Sequence, residues 1–306
     1  MILIDSNKGL QHKPLVATIG FFDGVHSGHR FLIEQVKKGA AKKQLPSAVI
    51  TFPIHPRRIL NKDYQPALLC GYDEKVKRLS STGVDYCISL DFTFEMSKLT
   101  AKEFMTEILK KKLNVDTLII GYDHRFGHNR AEGFEDYLRY GNEIGMEVIQ
   151  QQELDPHEHV SSSRIRRLLG GGEVSKAAKL LSYNYTISGK IVEGFKVGRT
   201  IGFPTANIQI WEDFKVIPAF GVYAVKVLIE DKKYDGMLYI GKRPTLQNGD
   251  NISLEVNIFD FDEDLYNRSL TAEFIEFVRA DEKFSNVDEL KAQIARDKES
   301  VKKNST

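Results

Sequence analysis

The sequence predicts a Rossmann-like α/β domain with a parallel sheet, followed by an antiparallel β-barrel domain that ends in a C-terminal helix. Three observations predict it. Short apolar runs alternate with helical patterns through the first half, the signature of βαβ units. From about Tyr183 the chain turns to runs enriched in Val, Ile, Tyr and Phe with turn signals between them, as in an antiparallel sheet or small barrel. A length of 306 residues suits two domains better than one, because domains usually hold ~100–200 residues. The boundary is placed before Tyr183, giving domains over 1–182 and 183–306.

Composition excludes several classes. Lys and Arg number 43 against 42 Asp and Glu, a net charge of +1, so the chain is not built as a dedicated nucleic-acid binder. Cys70 and Cys87 lack metal-type spacing and read as ordinary buried thiols. Residues 1–5 show no basic region followed by a long apolar core. No apolar run approaches the ~20 residues that a membrane span needs. The expectation is a cytoplasmic protein without nucleic-acid or membrane partners, a monomer or weak homo-oligomer.

In order, residues 15–19 read as a buried first strand and 30–44 as a helix. Further strands are expected over 47–52, 86–90, 117–120 and 146–149, with helices over 73–82, 100–112 and 132–144. In such sheets ligands bind beyond the carboxyl ends of the strands. Gly20 to His29 follows the first strand, His55-Pro56 the second, and Gly121 to Gly127 the fourth. Ser161 to Ser163 can cap a helix from about Arg164, which Gly170 to Gly172 end, and a short helix follows over 173–181.

The stretch Gly20-Phe21-Phe22-Asp23-Gly24-Val25-His26-Ser27-Gly28-His29 joins a strand to a helix through a glycine-rich turn. Unpaired N–H groups and the helix dipole favour a polyphosphate there. Gly20, Gly24 and Gly28 allow close approach to the backbone, and His26 and His29 lie about one helical turn apart. His-x-x-His can also hold zinc, but a third ligand is hard to name; His55 and His124 are explained as well by other contacts. A tight structural connection is the bland alternative. The helix end capped by Ser162 and Ser163 offers a second phosphate site, with Arg166 or Arg167 adding a planar fork of donors. Arg125 and Arg130 are surface charges by default, and Phe126 is either core or a stacking face.

In the second half, β-like runs cover 184–192, 222–229, 234–240, 252–259 and 270–277, and 287–303 has helical periodicity. Gly194 to Asn207 holds Gly194, Gly198, Gly202 and Lys196, which suggest a phosphate-binding loop or else a plain glycine-rich turn. Thr205 and Asn207 carry hard oxygens suited to Mg²⁺ and share a face if extended. Glu255 lies in an apolar strand, either on its wet face or as a base for phosphorylating a hydroxyl.

These markers together resemble the bacterial bifunctional riboflavin kinase/FAD synthetase family over nearly the whole chain. They are Gly20 to His29, Thr51-Phe52 with His55-Pro56, Gly121 to Gly127 and Ser161 to Arg166 in the first half. In the second they are Gly198 to Asn207, Gly221 to Ala224, Ile240 to Thr245, Leu254-Glu255-Val256, Arg279 and Glu282 to Phe284. Departures from the family pattern include Phe21, Pro53-Ile54, His124, Glu193 and Tyr239. None removes a group that the chemistry requires.

The resemblance implies an N-terminal nucleotidyltransferase domain and a C-terminal flavokinase barrel. The barrel would phosphorylate riboflavin with ATP to FMN. The first domain would join FMN to AMP from a second ATP, giving FAD and pyrophosphate. His26, His29 and Glu255 are the catalytic candidates. Gly20, Phe22, Asp23, Gly24, Gly28, Ser162, Ser163, Arg166, Gly198, Arg199 and Gly202 would bind ATP phosphates. His55, Asp123, Arg125, Phe126 and Arg279 would contact the flavin, and Thr205 and Asn207 the Mg²⁺.

Overall fold

The computed structural model describes residues 1–5, 13–61, 63–152, 154, 159–192, 202–242, 252–263 and 265–304. The chain divides into two compact units, Met1–Ser162 and Ser163–Thr306.

The first unit runs β1 (Ile2–Asp5), β2 (Leu15–Ile19), α1 (Ser27–Lys43), β3 (Ser47–Thr51), α2 (Pro56–Leu60), α3 (Tyr72–Ser80) and β4 (Tyr86–Ser89). It continues through α4 (Ala101–Glu103), extended by a π-helical run over Phe104–Lys112, then β5 (Val115–Gly121), α5 (Phe134–Ile144) and β6 (Glu147–Gln151). The strands form one six-stranded sheet in the order β1-β4-β3-β2-β5-β6, every pair parallel. Strand β2 has β3 on one side and β5 on the other, so the order reverses there and leaves a crevice beyond its C-terminal end.

The near-continuous apolar strands are explained by burial on both faces. Val16, Val49, Cys87 and Ile119 face α1 and α3 with Ile33, Val36 and Leu79. Ala17, Ile19, Ile50, Ile88, Leu118 and Ile120 face the other way, onto Phe104, Met105, Leu109 and Tyr137. Strand β1 escaped the sequence reading because it lies at the sheet edge, with Ile2 and Leu3 exposed.

The second unit begins within α6 (Ser162–Gly170), followed by α7 (Val174–Leu181). Strands β7 (Thr186–Val192), β8 (Ala206–Ile210), β9 (Gly221–Ile229), β10 (Lys232–Lys242), β11 (Ile252–Ile258) and β12 (Ser269–Arg279) precede α8 (Val287–Asn304). They close into an antiparallel barrel ordered β10-β11-β8-β7-β12-β9. Ile187, Tyr223, Leu238, Leu254 and Phe274 lie buried along its strands. On the outer face, Ile294 and Val301 of α8 cover Val222, Ala224, Met237 and Phe259. Helices α6 and α7 group with the barrel, ahead of the boundary read from composition. The Leu169 carbonyl accepts from Ala219 N at 3.0 Å, and Ser175 Oγ donates to the Ile275 carbonyl at 2.9 Å.

Candidate functional site

The turn after β2 lies in the crevice of the first unit. Gly20 N donates to the Ile50 carbonyl at 3.0 Å, extending the β2–β3 pairing by one step. The chain then turns sharply through three residues in the left-handed region, Phe22 (φ 55°), Gly24 (φ 76°) and Val25 (φ 41°). Gly24 meets this without cost, whereas Val25 is β-branched and strained there. Burial holds the conformation: Phe22 is 3% exposed and Val25 fully buried. The turn delivers His26 to the N-cap of α1.

His26 Nδ1 accepts the His29 backbone N–H at 3.3 Å. This leaves the His26 ring proton on Nε2, where it can donate. The two imidazoles stack with centroids 3.6 Å apart and planes at 16°. His29 Nδ1 is buried without a partner. Burial, with added repulsion from His26 and Lys75, holds the His29 imidazole well below the ordinary range, so it is neutral near pH 7.

Asp23, expected near the phosphates, has its carboxylate turned to backbone N–H groups. It is 4% exposed, and its Oδ1 accepts from Leu69 N at 2.9 Å and Cys70 N at 3.3 Å. The carboxylate braces the turn against the segment before α3. The brace is doubled by Gly24 N donating to Cys70 Sγ at 3.1 Å. Burial first, then the Asp23 carboxylate, pushes the Cys70 thiol up to about 12, so it is unreactive. Ser162 Oγ donates to the Asp23 carbonyl at 3.0 Å, so the start of α6 is tied to the histidine turn. Ser163 and Arg166 follow on the same helix, exposed and half-buried respectively.

Lys75 is a site residue that the sequence reading missed. It is 2% exposed, and its Nζ donates to the carbonyls of Phe52 at 2.7 Å and Phe21 at 3.1 Å. It thereby clamps the ends of β2 and β3 together, and it stands 4.0 Å from the Phe21 ring centroid. Burial pushes its ammonium down to about 8. In sequence it is one of many lysines on a helix, with nothing to mark it as buried.

The flavin candidates of this unit divide. His55 N-caps α2, its Nδ1 accepting from Arg57 N at 3.1 Å, and its ring meets Phe21 edge-on at 4.6 Å. Asp123 and Arg125 are exposed after β5. Phe126 is half-buried against the core and stacks on Tyr137 at 4.3 Å and 11°. His124 beside it is half-buried, with its Nε2 atom buried and unpartnered, and desolvation pushes it down to about 4.

In the second unit, strand register assembles the site. Glu255 pairs with Asn207 of β8 on one side and Tyr239 of β10 on the other. Tyr239 pairs with Val222, and Val222 with Arg279. Arg279, Tyr239, Glu255 and Asn207 therefore lie in one row across the outer face of the barrel. Glu255 Oε2 accepts from Thr205 Oγ1 at 3.4 Å and its Oε1 from Ser253 Oγ at 3.0 Å. Tyr239 OH donates to Asp281 Oδ1 at 3.0 Å, and burial first, then Asp281, pushes it up to about 12. Arg279 Nε donates to Asp297 Oδ2 at 2.9 Å, which joins β12 to α8. Gly202 is exposed with φ 84°. Gly198 and Arg199 lie outside the described residues.

The donor chemistry of Thr205 and Asn207 fits a hard divalent cation. The Thr205 hydroxyl meets the Glu255 carboxylate and Asn207 is the strand partner of Glu255, an oxygen-rich set of the kind Mg²⁺ prefers. Around the histidines, the described residues present no group of three or more His, Cys, Asp or Glu arranged to hold a metal.

A glycine-rich turn with stacked histidines on a parallel-sheet unit, and a carboxylate beside a hydroxyl on a closed barrel, fit a two-site nucleotidyl- and phosphoryl-transfer protein. Comparison with known proteins makes this particular. Residues 9–164 match the family described as FAD synthetase and 181–305 that described as riboflavin kinase. The bifunctional riboflavin kinase/FMN adenylyltransferase of Escherichia coli K12 is 38% identical over 97% of this chain and 96% of its own. Those of Listeria monocytogenes and Bacillus subtilis are 35% and 33% identical, each over 94% of this chain and 91% and 92% of their own. The chain belongs to the bifunctional riboflavin kinase/FMN adenylyltransferase family. A crystal structure described as a macrolide-efflux protein from Streptococcus pneumoniae shares its fold, with a TM-score of 0.89, 34% identity and 99% coverage of both chains. Among the described residues of this chain, no helix is long and apolar enough to cross a membrane.

Proposed function

We propose that the barrel unit phosphorylates riboflavin to FMN and the parallel-sheet unit adenylylates FMN to FAD, each through the residues located above. The observation that carries this reading is the Thr205, Asn207 and Glu255 cluster. A barrel kept only as scaffold would need no carboxylate beside two hard-oxygen side chains.

In the barrel, a ribityl hydroxyl of riboflavin attacks the γ-phosphorus of ATP. Glu255 takes the hydroxyl proton as the new P–O bond forms, and the bond to ADP breaks. Mg²⁺, when bound, neutralises phosphate charge, and Thr205 and Asn207 would hold it. Arg279, fixed by Asp297, would stand on the flavin side of the row.

In the first unit, the FMN phosphate attacks the α-phosphorus of a second ATP, and pyrophosphate leaves. The nucleophile is already an anion, so positioning and charge stabilisation replace a strong base. His26 donates from Nε2. His29 Nδ1, unpartnered in the free protein, meets the incoming phosphate oxygens. Ser162, bonded to the Asp23 carbonyl, would lie with the outer phosphates. His55, Asp123 and Arg125 would contact the flavin, while Asp23, Lys75 and Phe126 fix the frame.

Incubation with riboflavin, ATP and Mg²⁺ tests the proposal by product analysis. The expected course is FMN first and FAD after it. FAD from supplied FMN without any FMN from riboflavin would leave the barrel as scaffold and refute the two-reaction reading.

A further inference from the structure

Asn257 lies two residues beyond Glu255 on β11, so its side chain projects from the same outer face. The β8–β11 register pairs Asn207 with Glu255 and Ala206 with Val256. One step further, Asn257 stands opposite Thr205. Asn257 is 7% exposed. Its Nδ2 donates to the Pro204 carbonyl at 2.6 Å, immediately before Thr205. Its Oδ1 is buried and has no partner.

A buried amide oxygen left unpaired is costly, and native proteins rarely keep one without a use. Here the two ends of one side chain do different work. The amino end fixes the chain that presents Thr205 to Glu255. The carbonyl end is an unpaired acceptor on the residue opposite Thr205, on the face that carries Glu255. An apolar residue would fill the space without the desolvation cost, so simple packing does not explain an asparagine.

We propose that Asn257 is a positioning residue of the kinase site, clamping Pro204 through Nδ2 and offering Oδ1 to a hydroxyl-type donor carried by the bound substrates. This rests on the assignment of the kinase site to Thr205, Asn207 and Glu255. The donor is either a ribityl hydroxyl or a water of the Mg²⁺–ATP complex.

The test uses the full chain and three variants, Asn257→Asp, Asn257→Leu and Glu255→Gln. Kinase turnover is measured with riboflavin and Mg²⁺ each varied, alongside FAD synthesis from supplied FMN and a thermal melt. Asn257→Asp is isosteric but replaces the donor facing Pro204 with an acceptor. It should lower kinase kcat at least about tenfold, as small misplacements of reacting groups do. Asn257→Leu should lower kcat likewise and also raise one half-saturation constant by about threefold or more, the size expected for one lost hydrogen bond. A rise for riboflavin identifies the ribityl hydroxyl as the donor; a rise for Mg²⁺ identifies a metal-bound water. FAD synthesis should be unchanged in all three. A merely structural asparagine would lower the melting temperature and leave kcat and both constants within about twofold of the parent. That result, with Glu255→Gln inactive as a kinase, overturns the Asn257 proposal alone. A fall in kcat with both constants unchanged overturns the acceptor role and keeps the clamp. If Glu255→Gln keeps full kinase turnover, the site assignment falls and the Asn257 role with it.

Discussion

The imidazoles of His26 and His29 lie face to face, 3.6 Å apart, with the His29 backbone N–H donated to His26 Nδ1. The stack is fixed before any ligand arrives, because the cap bond and the buried turn determine both rings. Preorganised donors of this kind are worth ~10²–10³ in rate. His29→Ala should therefore lower FAD formation from FMN by about that factor. His26→Ala should do the same and also weaken the start of α1, by the ~1 kcal/mol typical of a lost N-cap. Steady-state rates and thermal melts of the two variants separate these effects.

Lys75 holds the carbonyls just beyond β2 and β3, and the Thr51 hydroxyl adds a second bond to the Phe21 carbonyl at 3.2 Å. Lys75→Met keeps the stem and deletes the clamp. The turn that carries His26 should loosen, and adenylylation should fall by about tenfold or more, since misplacement costs rate steeply. Phosphorylation of riboflavin should be untouched. Comparing both activities in one preparation checks this.

The Asp23 carboxylate satisfies two buried N–H groups. Asp23→Ala should destabilise the first unit by ~1–3 kcal/mol, the usual cost of unpaired buried polar groups, read as a lower denaturation midpoint. Cys70, buried and held as the thiol, should resist alkylation in the native protein and react only on unfolding.

Burial keeps His124 neutral, with its imidazole pushed down from 6.5 to about 4. Between these values the unfolded chain binds more protons than the folded one, so stability rises with pH across that window. The contribution is full above 6.5 and is lost as pH falls toward 4. His29 acts in the same direction. His124→Phe should flatten the dependence of melting temperature on pH below 6.5. Melts recorded from neutral to mildly acid buffer would show an unchanged slope if the burial account were wrong.

Much of this was legible in the sequence because apolar period and turn chemistry act locally. Five strands of the parallel sheet, β2 to β6, the histidine turn and the C-terminal helix all follow from such patterns. Strand β1 was missed because an exposed edge strand lacks the buried signature. Lys75 and Asn257 were missed because burial of a polar residue is a tertiary fact, set by carbonyls at Phe21, Phe52 and Pro204. Asp23 and Phe126 sit within legible motifs, but their side chains turn to loop N–H groups and to Tyr137. Helices α6 and α7 carry no mark of which unit they join; packing against the barrel decides it.

The central claim is that the two reactions have separate centres. The most direct measurement is a crossed assay of His29→Ala and Glu255→Gln, each tested for FMN from riboflavin and for FAD from supplied FMN. His29→Ala should keep the first activity and lose the second. Glu255→Gln should lose the first, by the ~10²–10⁴ that removal of a general base costs, and keep the second. Loss of both activities in either folded variant would contradict the assignment of two independent sites.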